Sequence, residues 1–124
     1  MKLVVVTGFV KKSDPEQKVR PAVILGMVDG RVVIAPCTSN PERSGMVLRG
    51  GVLLTKASPA FAKSGLRADQ VVIDIRNAAS YAIDSDMVRE CRQIGTIDTE
   101  MDKRFRDNLI FMLRKYDTLN LRAA

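Results

Sequence analysis

Arg20-Pro21-Ala22-Val23-Ile24-Leu25-Gly26-Met27-Val28-Asp29-Gly30-Arg31-Val32-Val33-Ile34-Ala35-Pro36-Cys37-Thr38 is the stretch that decides the fold. Two apolar runs rich in β-branched residues flank Asp29-Gly30, a dipeptide that supplies the positive φ a tight hairpin needs. The reading is a strand over 20–28, a two-residue turn, and a second strand over 31–37. Polarity returns where these strands meet their loops: Arg20 opens the first, and Thr38-Ser39-Asn40 follows the second. A guanidinium offers several donors in one plane, and a hydroxyl both donates and accepts. Arg20 and Thr38, held at adjacent strand ends, are therefore suited to grip a phosphate.

Working outward, residues 3–9 read as a strand, and residues 11–19 as a polar loop centred on Ser13-Asp14-Pro15. Beyond the hairpin, 40–44 is a loop, and 46–48 and 52–55 are short strands around Arg49-Gly50-Gly51, a second hairpin candidate. Ser58-Pro59 has the form of a helix start, serine as cap and proline in the first turn, cut short by Gly65. Residues 70–75 and 88–94 read as further strands. From Asp98, taken as a cap, Met101, Phe105, Leu109 and Met112 recur at helical spacing, widened by Leu113 and Tyr116, and predict a C-terminal helix packed on a sheet. Many short strands and one late helix indicate a small, mostly β (α+β) barrel. No repeat or linker divides the chain, so residues 1–124 are expected to form a single domain.

A chain of 124 residues can bury roughly two thirds of its unfolded surface without a disulfide. Cys37 and Cys91 lack the paired spacing of a zinc or redox motif and are expected as buried free thiols, which suits a reducing cytoplasm. The apolar run behind Lys2 is broken by Thr7-Gly8 and reads as a buried strand rather than a secretory signal. No stretch approaches the ~20 apolar residues of a membrane span, so the expectation is a cytoplasmic protein without a membrane partner. Twenty Lys and Arg against fourteen Asp and Glu leave a net charge of +6, which favours polyanion partners. There is no histidine. That excludes a Ser-His-Asp or Cys-His centre, a paired-histidine ribonuclease mechanism and histidine-ligated metal.

Taken in order, Glu16-Gln17, the Arg20 to Leu25 segment and Ala35-Pro36-Cys37-Thr38-Ser39-Asn40 resemble the MazF/PemK/Kid family of toxin endoribonucleases. Ser64-Gly65-Leu66, Val71-Val72-Ile73-Asp74 and Ile94-Gly95-Thr96-Ile97-Asp98 extend the likeness over most of the chain. The resemblance implies an SH3-like barrel with a C-terminal helix, a homodimer, and cleavage of single-stranded RNA without metal or other cofactor. The products it implies are a 2′,3′-cyclic phosphate and a 5′-hydroxyl, and it adds a cognate antitoxin as partner.

The family's central arginine falls on Arg20, its strand-end threonine on Thr38, and its first-loop acid on Glu16, here one residue nearer the arginine. Its strand acid falls on Asp74, or on Asp69 in the other register. Lys18, Ser39, Asn40 and Arg76 flank these positions as RNA-binding candidates. The chain departs from the family in three ways. It lacks a Gly-acidic pair before its first strand, it carries Val72 where a basic residue often stands, leaving Arg67 or Arg76 nearby, and its segment 77–87 is longer.

In such a centre the RNA's 2′-hydroxyl is the nucleophile, so DNA is no substrate. Arg20 and Thr38 would stabilise the charge of the phosphorane-like transition state, with Glu16 or Asp74 as base. Asp74, inside an apolar strand, needs a partner, for which Arg76 or Arg20 are the candidates. The alternatives are a barrel of the same fold that binds RNA or protein without catalysis, and a CcdB-like gyrase poison. The latter depends on a C-terminal tryptophan-containing end, and this chain has no tryptophan.

Overall fold

The computed structural model describes residues 1–10, 15–16, 18–39 and 50–120. Seven strands are present in this part: β1 Lys2–Val10, β2 Val19–Val28, β3 Arg31–Thr38, β4 Gly51–Thr55, β5 Gln70–Asp74, β6 Ala79–Ala82 and β7 Arg92–Asp98. Two α-helices join them, α1 Asp86–Glu90 and α2 Lys103–Lys115. The expected strand at 46–48 lies outside the described residues.

The Asp-Gly hairpin forms as read. Asp29 and Gly30 take φ of 52° and 74°, and Val28 pairs with Arg31 across the turn. All pairings are antiparallel, in the order β4-β5-β3-β2-β1-β7, with β6 added to β3. Strand β3 organises the sheet. β2 runs along one edge, while its other edge is shared by β6, opposite Arg31 to Ile34, and β5, opposite Cys37 and Thr38. Register shifts between Val6 and Phe9 and between Ile24 and Gly26 add local twist. The result is a curled, half-barrel antiparallel sheet with one C-terminal helix, a mostly β fold.

Both faces of β3 are covered, so its apolar run shows no alternation. The larger core holds Leu3, Val5, Val23, Leu25, Val33, Val71, Ile73 and Ile97, closed by Phe105 and Leu109 of α2. Alternate residues point the other way: Val6, Phe9, Ala22, Val32 and Ile34 form a second cluster under Tyr81, Met87, Val88 and Cys91. Phe9 and Tyr81 meet edge to face, with ring centres 5.9 Å apart. This second cluster corrects the strand expected over 88–94. Met87, Val88 and Cys91 fall on one side of a helical turn and lie on the sheet, so α1 takes Asp86–Glu90 and the strand begins only at Arg92. The same covering layer includes β6, whose short sequence Ala79-Ser80-Tyr81-Ala82 carries no strand signal of its own. Cys37 is buried, but Cys91 is only half-buried at the edge of this layer; both thiols are free.

The helix start is also corrected. Asp98 caps a 3₁₀ turn, Thr99–Met101, accepting from the Glu100 N–H at 3.1 Å. The cap of α2 is Asp102, which accepts from the Phe105 N–H at 3.0 Å. Met101 therefore precedes the helix and is 55% exposed, while Phe105 and Leu109 are buried and Met112, Leu113 and Tyr116 pack against the core. The Ser58-Pro59 start yields only a 3₁₀ turn, Pro59–Phe61, capped by Ser58 through the Ala60 N–H. Ser58 Oγ also donates to Asp102 at 2.6 Å, tying the two caps together.

This hydrogen bond first, and the Phe105 N–H second, hold the Asp102 carboxyl below the usual carboxylate range. A folded-state value below the unfolded ~3.9 means that the contribution is complete above that pH and is lost as pH falls through the folded value. Asp102→Ala is expected to cost ~1 kcal/mol at neutral pH, the usual worth of an N-cap, and less near pH 3, whereas Asp102→Asn keeps the cap at both. Urea unfolding of the three proteins at the two pH values checks this.

Candidate functional site

The register of the hairpin builds the site. Ala22 pairs with Pro36, and two positions farther along each strand stand Arg20 and Thr38. Beyond Thr38 the chain leaves β3 at Ser39, and before β2 it arrives through Lys18. All four side chains line one cleft of about 810 Å³, together with Thr7 of β1, Arg67 and Leu66 from the loop ahead of β5, and Ile94 of β7. The described lining contains three cations, Lys18, Arg20 and Arg67, three hydroxyls, Thr7, Thr38 and Ser39, and no carboxylate. Arg20 is half-buried with its Nε enclosed, so its charge sits close to low-dielectric walls, where an anion is attracted more strongly than in open water. Chemically, the polar part of the described lining is suited to an anion.

Cys37 forms part of the wall but is not a nucleophile. Burial first, and the neighbouring Asp74 charge second, push its thiol up to about 12, so it stays protonated at physiological pH.

Of the residues expected at the site, Arg20, Thr38, Lys18 and Ser39 come together. Asp74 is placed differently. It ends β5, is 5% exposed and lies outside the described cleft lining. Its partner is neither Arg76 nor Arg20: the Asn77 N–H donates to Oδ1 at 3.3 Å and the Asn77 side-chain amide to Oδ2 at 2.7 Å. These bonds cap the 3₁₀ turn Ile75–Asn77. Arg76 is exposed on that turn and is likewise absent from the described lining, its N–H bonded to the Gly50 carbonyl. Glu16 is exposed in the loop before β2, and Asp69 is exposed beside Ala68 of the cleft wall. Asn40 lies outside the described residues.

Two lining residues carry no signal of phosphate binding in the sequence. Thr7 reads there only as a break in an apolar run, and Arg67 only as a basic residue near β5. Among the described residues, no three Cys, Asp or Glu side chains converge as metal ligands, and no helix is long and apolar enough to cross a membrane. Comparison with models of known protein families gives no match. Comparison with curated proteins finds no significant relative.

Proposed function

We propose that the chain is a metal-independent, sequence-selective endoribonuclease of the MazF/PemK kind, with an SH3-like barrel, acting in the cytoplasm as the toxin of a toxin–antitoxin pair. The observation that carries this reading is the convergence of Arg20, Thr38, Lys18 and Ser39 on one cleft. In the reaction the 2′-oxygen of RNA bonds to phosphorus, the bond from phosphorus to the 5′-oxygen breaks, and a 2′,3′-cyclic phosphate and a 5′-hydroxyl result. Arg20 and Thr38 hold the non-bridging oxygens, where negative charge grows in the transition state.

Arginine stays protonated at neutral pH, so the proton of the 2′-hydroxyl goes to a carboxylate. Glu16, in the loop that leads into β2 and Arg20, takes this role, and water supplies the proton that the leaving 5′-oxygen gains. The protein works as a homodimer, and an acidic antitoxin segment that folds on binding covers the basic cleft.

The missing carboxylate in the described lining favours one second reading: the same cleft binds RNA without cleaving it. A labelled single-stranded RNA incubated with the protein and run on both native and denaturing gels separates the two. Shortened fragments support the nuclease, a shifted but intact strand supports the binder, and an unshifted intact strand contradicts both.

A further inference from the structure

We infer that Arg67 is the cleft's second phosphate ligand, holding a backbone phosphate of the RNA other than the one at Arg20. This rests on the endoribonuclease reading and extends it to a residue that the reading does not need for chemistry. Arg67 is exposed, lines the same cleft as Arg20 and Thr38, and makes no ion pair among the described residues.

Its position is set by an unusually close docking of its loop on β7. The Thr96 N–H donates to the Lys63 carbonyl at 2.8 Å, and the buried Ser64 accepts from the Leu66 N–H at 3.2 Å. Gly65 takes φ of 74°, and a Cβ there would run into the Ile94 carbonyl. A Cβ on Gly95 would meet the carbonyl groups of Lys63 and Ser64. Both obstacles are backbone, which cannot swing aside as a side chain can, so only two glycines allow this approach.

The clip ends two residues before Arg67, and Leu66 packs on the core. The backbone at Arg67 is therefore anchored, while the exposed residue lines the cleft together with the apolar Leu66 and Ile94. A guanidinium forks to two oxygens of one phosphate, and an anchored base for that fork lowers the ordering cost of binding.

The test is equilibrium binding of a short single-stranded RNA that carries a 2′-deoxy nucleotide at the cleaved position, over a range of salt, with kcat and KM measured on the cleavable RNA. Arg67→Ala is expected to weaken binding about tenfold, the scale of one hydrogen-bonded charge contact. It should also flatten the slope of log affinity against log salt by ~0.7, the share of one single-strand phosphate. KM rises and kcat at saturation stays near the wild-type value, and Arg67→Lys restores the salt slope but only part of the affinity. Unchanged affinity and slope in Arg67→Ala, with wild type binding the RNA, overturns the inference and leaves the nuclease reading standing. A fall in kcat at unchanged KM overturns the positioning role. Absence of RNA binding by the wild-type protein removes the nuclease reading itself, and this inference with it.

Discussion

On the proposed reaction, Arg20→Ala is expected to lower the rate of RNA cleavage at saturating substrate by a factor on the order of 10²–10³, the usual effect of removing one preorganised donor from a developing oxyanion. The effect is electrostatic. Arg20 is half-buried at the start of β2, the other polar side chains in the described cleft lining, the buried Cys37 thiol aside, are cations and hydroxyls, and the chain has no histidine. In the proposed reaction its charge would be worth more in the transition state than in the ground state, because the phosphorane carries one more negative charge than the bound phosphodiester. The loss should therefore fall mainly on kcat, which separates Arg20 from Arg67. Arg20→Lys is expected to recover little, since a compact ammonium does not fork to two oxygens. Single-turnover kinetics on wild type and both variants check this, with circular dichroism confirming that each is folded.

Phe105→Ala costs about 3–5 kcal/mol of folding stability, a large part of the 5–15 kcal/mol typical of a domain. Phe105 is 3% exposed on the first turn of α2 and closes the larger core, and its truncation removes a ring that the sheet cannot move in to replace. Phe111→Ala on the same helix is the control. Phe111 is 63% exposed, so its loss should stay near ±0.5 kcal/mol. Urea titration of the three proteins reads the difference directly. A Phe105→Ala midpoint equal to that of Phe111→Ala would mean that α2 does not close the core.

The elements legible from sequence are those whose signal is local. Asp29-Gly30 specifies its turn from two residues, and the apolar runs beside it specify β2 and β3 almost to their ends. The turn by itself would set Arg20 opposite Ser39; the irregularity between Ile24 and Gly26 shifts the pairing by one residue and brings Arg20 opposite Thr38, a step the turn residues do not encode. Elements that depend on tertiary cover are not legible in this way. β6 exists because β3 has half an edge left over, and α1 because the second cluster needs a lid over Val6 and Phe9. Asp98 and Asp102 are equally good caps by composition; the bond from Ser58 and the burial of Phe105 select the second. Asp74 reads in the sequence as a buried acid in search of a cation, yet Asn77, three residues on, satisfies it through backbone and side chain. Arg67 stands out in the sequence only as one of two basic residues near the strand acid, and its place in the cleft is not legible there. Its place in the cleft depends on Gly65 and Gly95, thirty positions apart, meeting across the fold.

The most direct test of the central claim is to incubate the purified protein with a long single-stranded RNA in the presence of EDTA and to map the ends it leaves. Cleavage is expected at a restricted set of sequences, with 2′,3′-cyclic phosphate on one side and 5′-hydroxyl on the other, and it should nearly disappear in Arg20→Ala. Intact RNA after incubation with the wild-type protein, or equal cleavage by Arg20→Ala, would contradict the endoribonuclease reading.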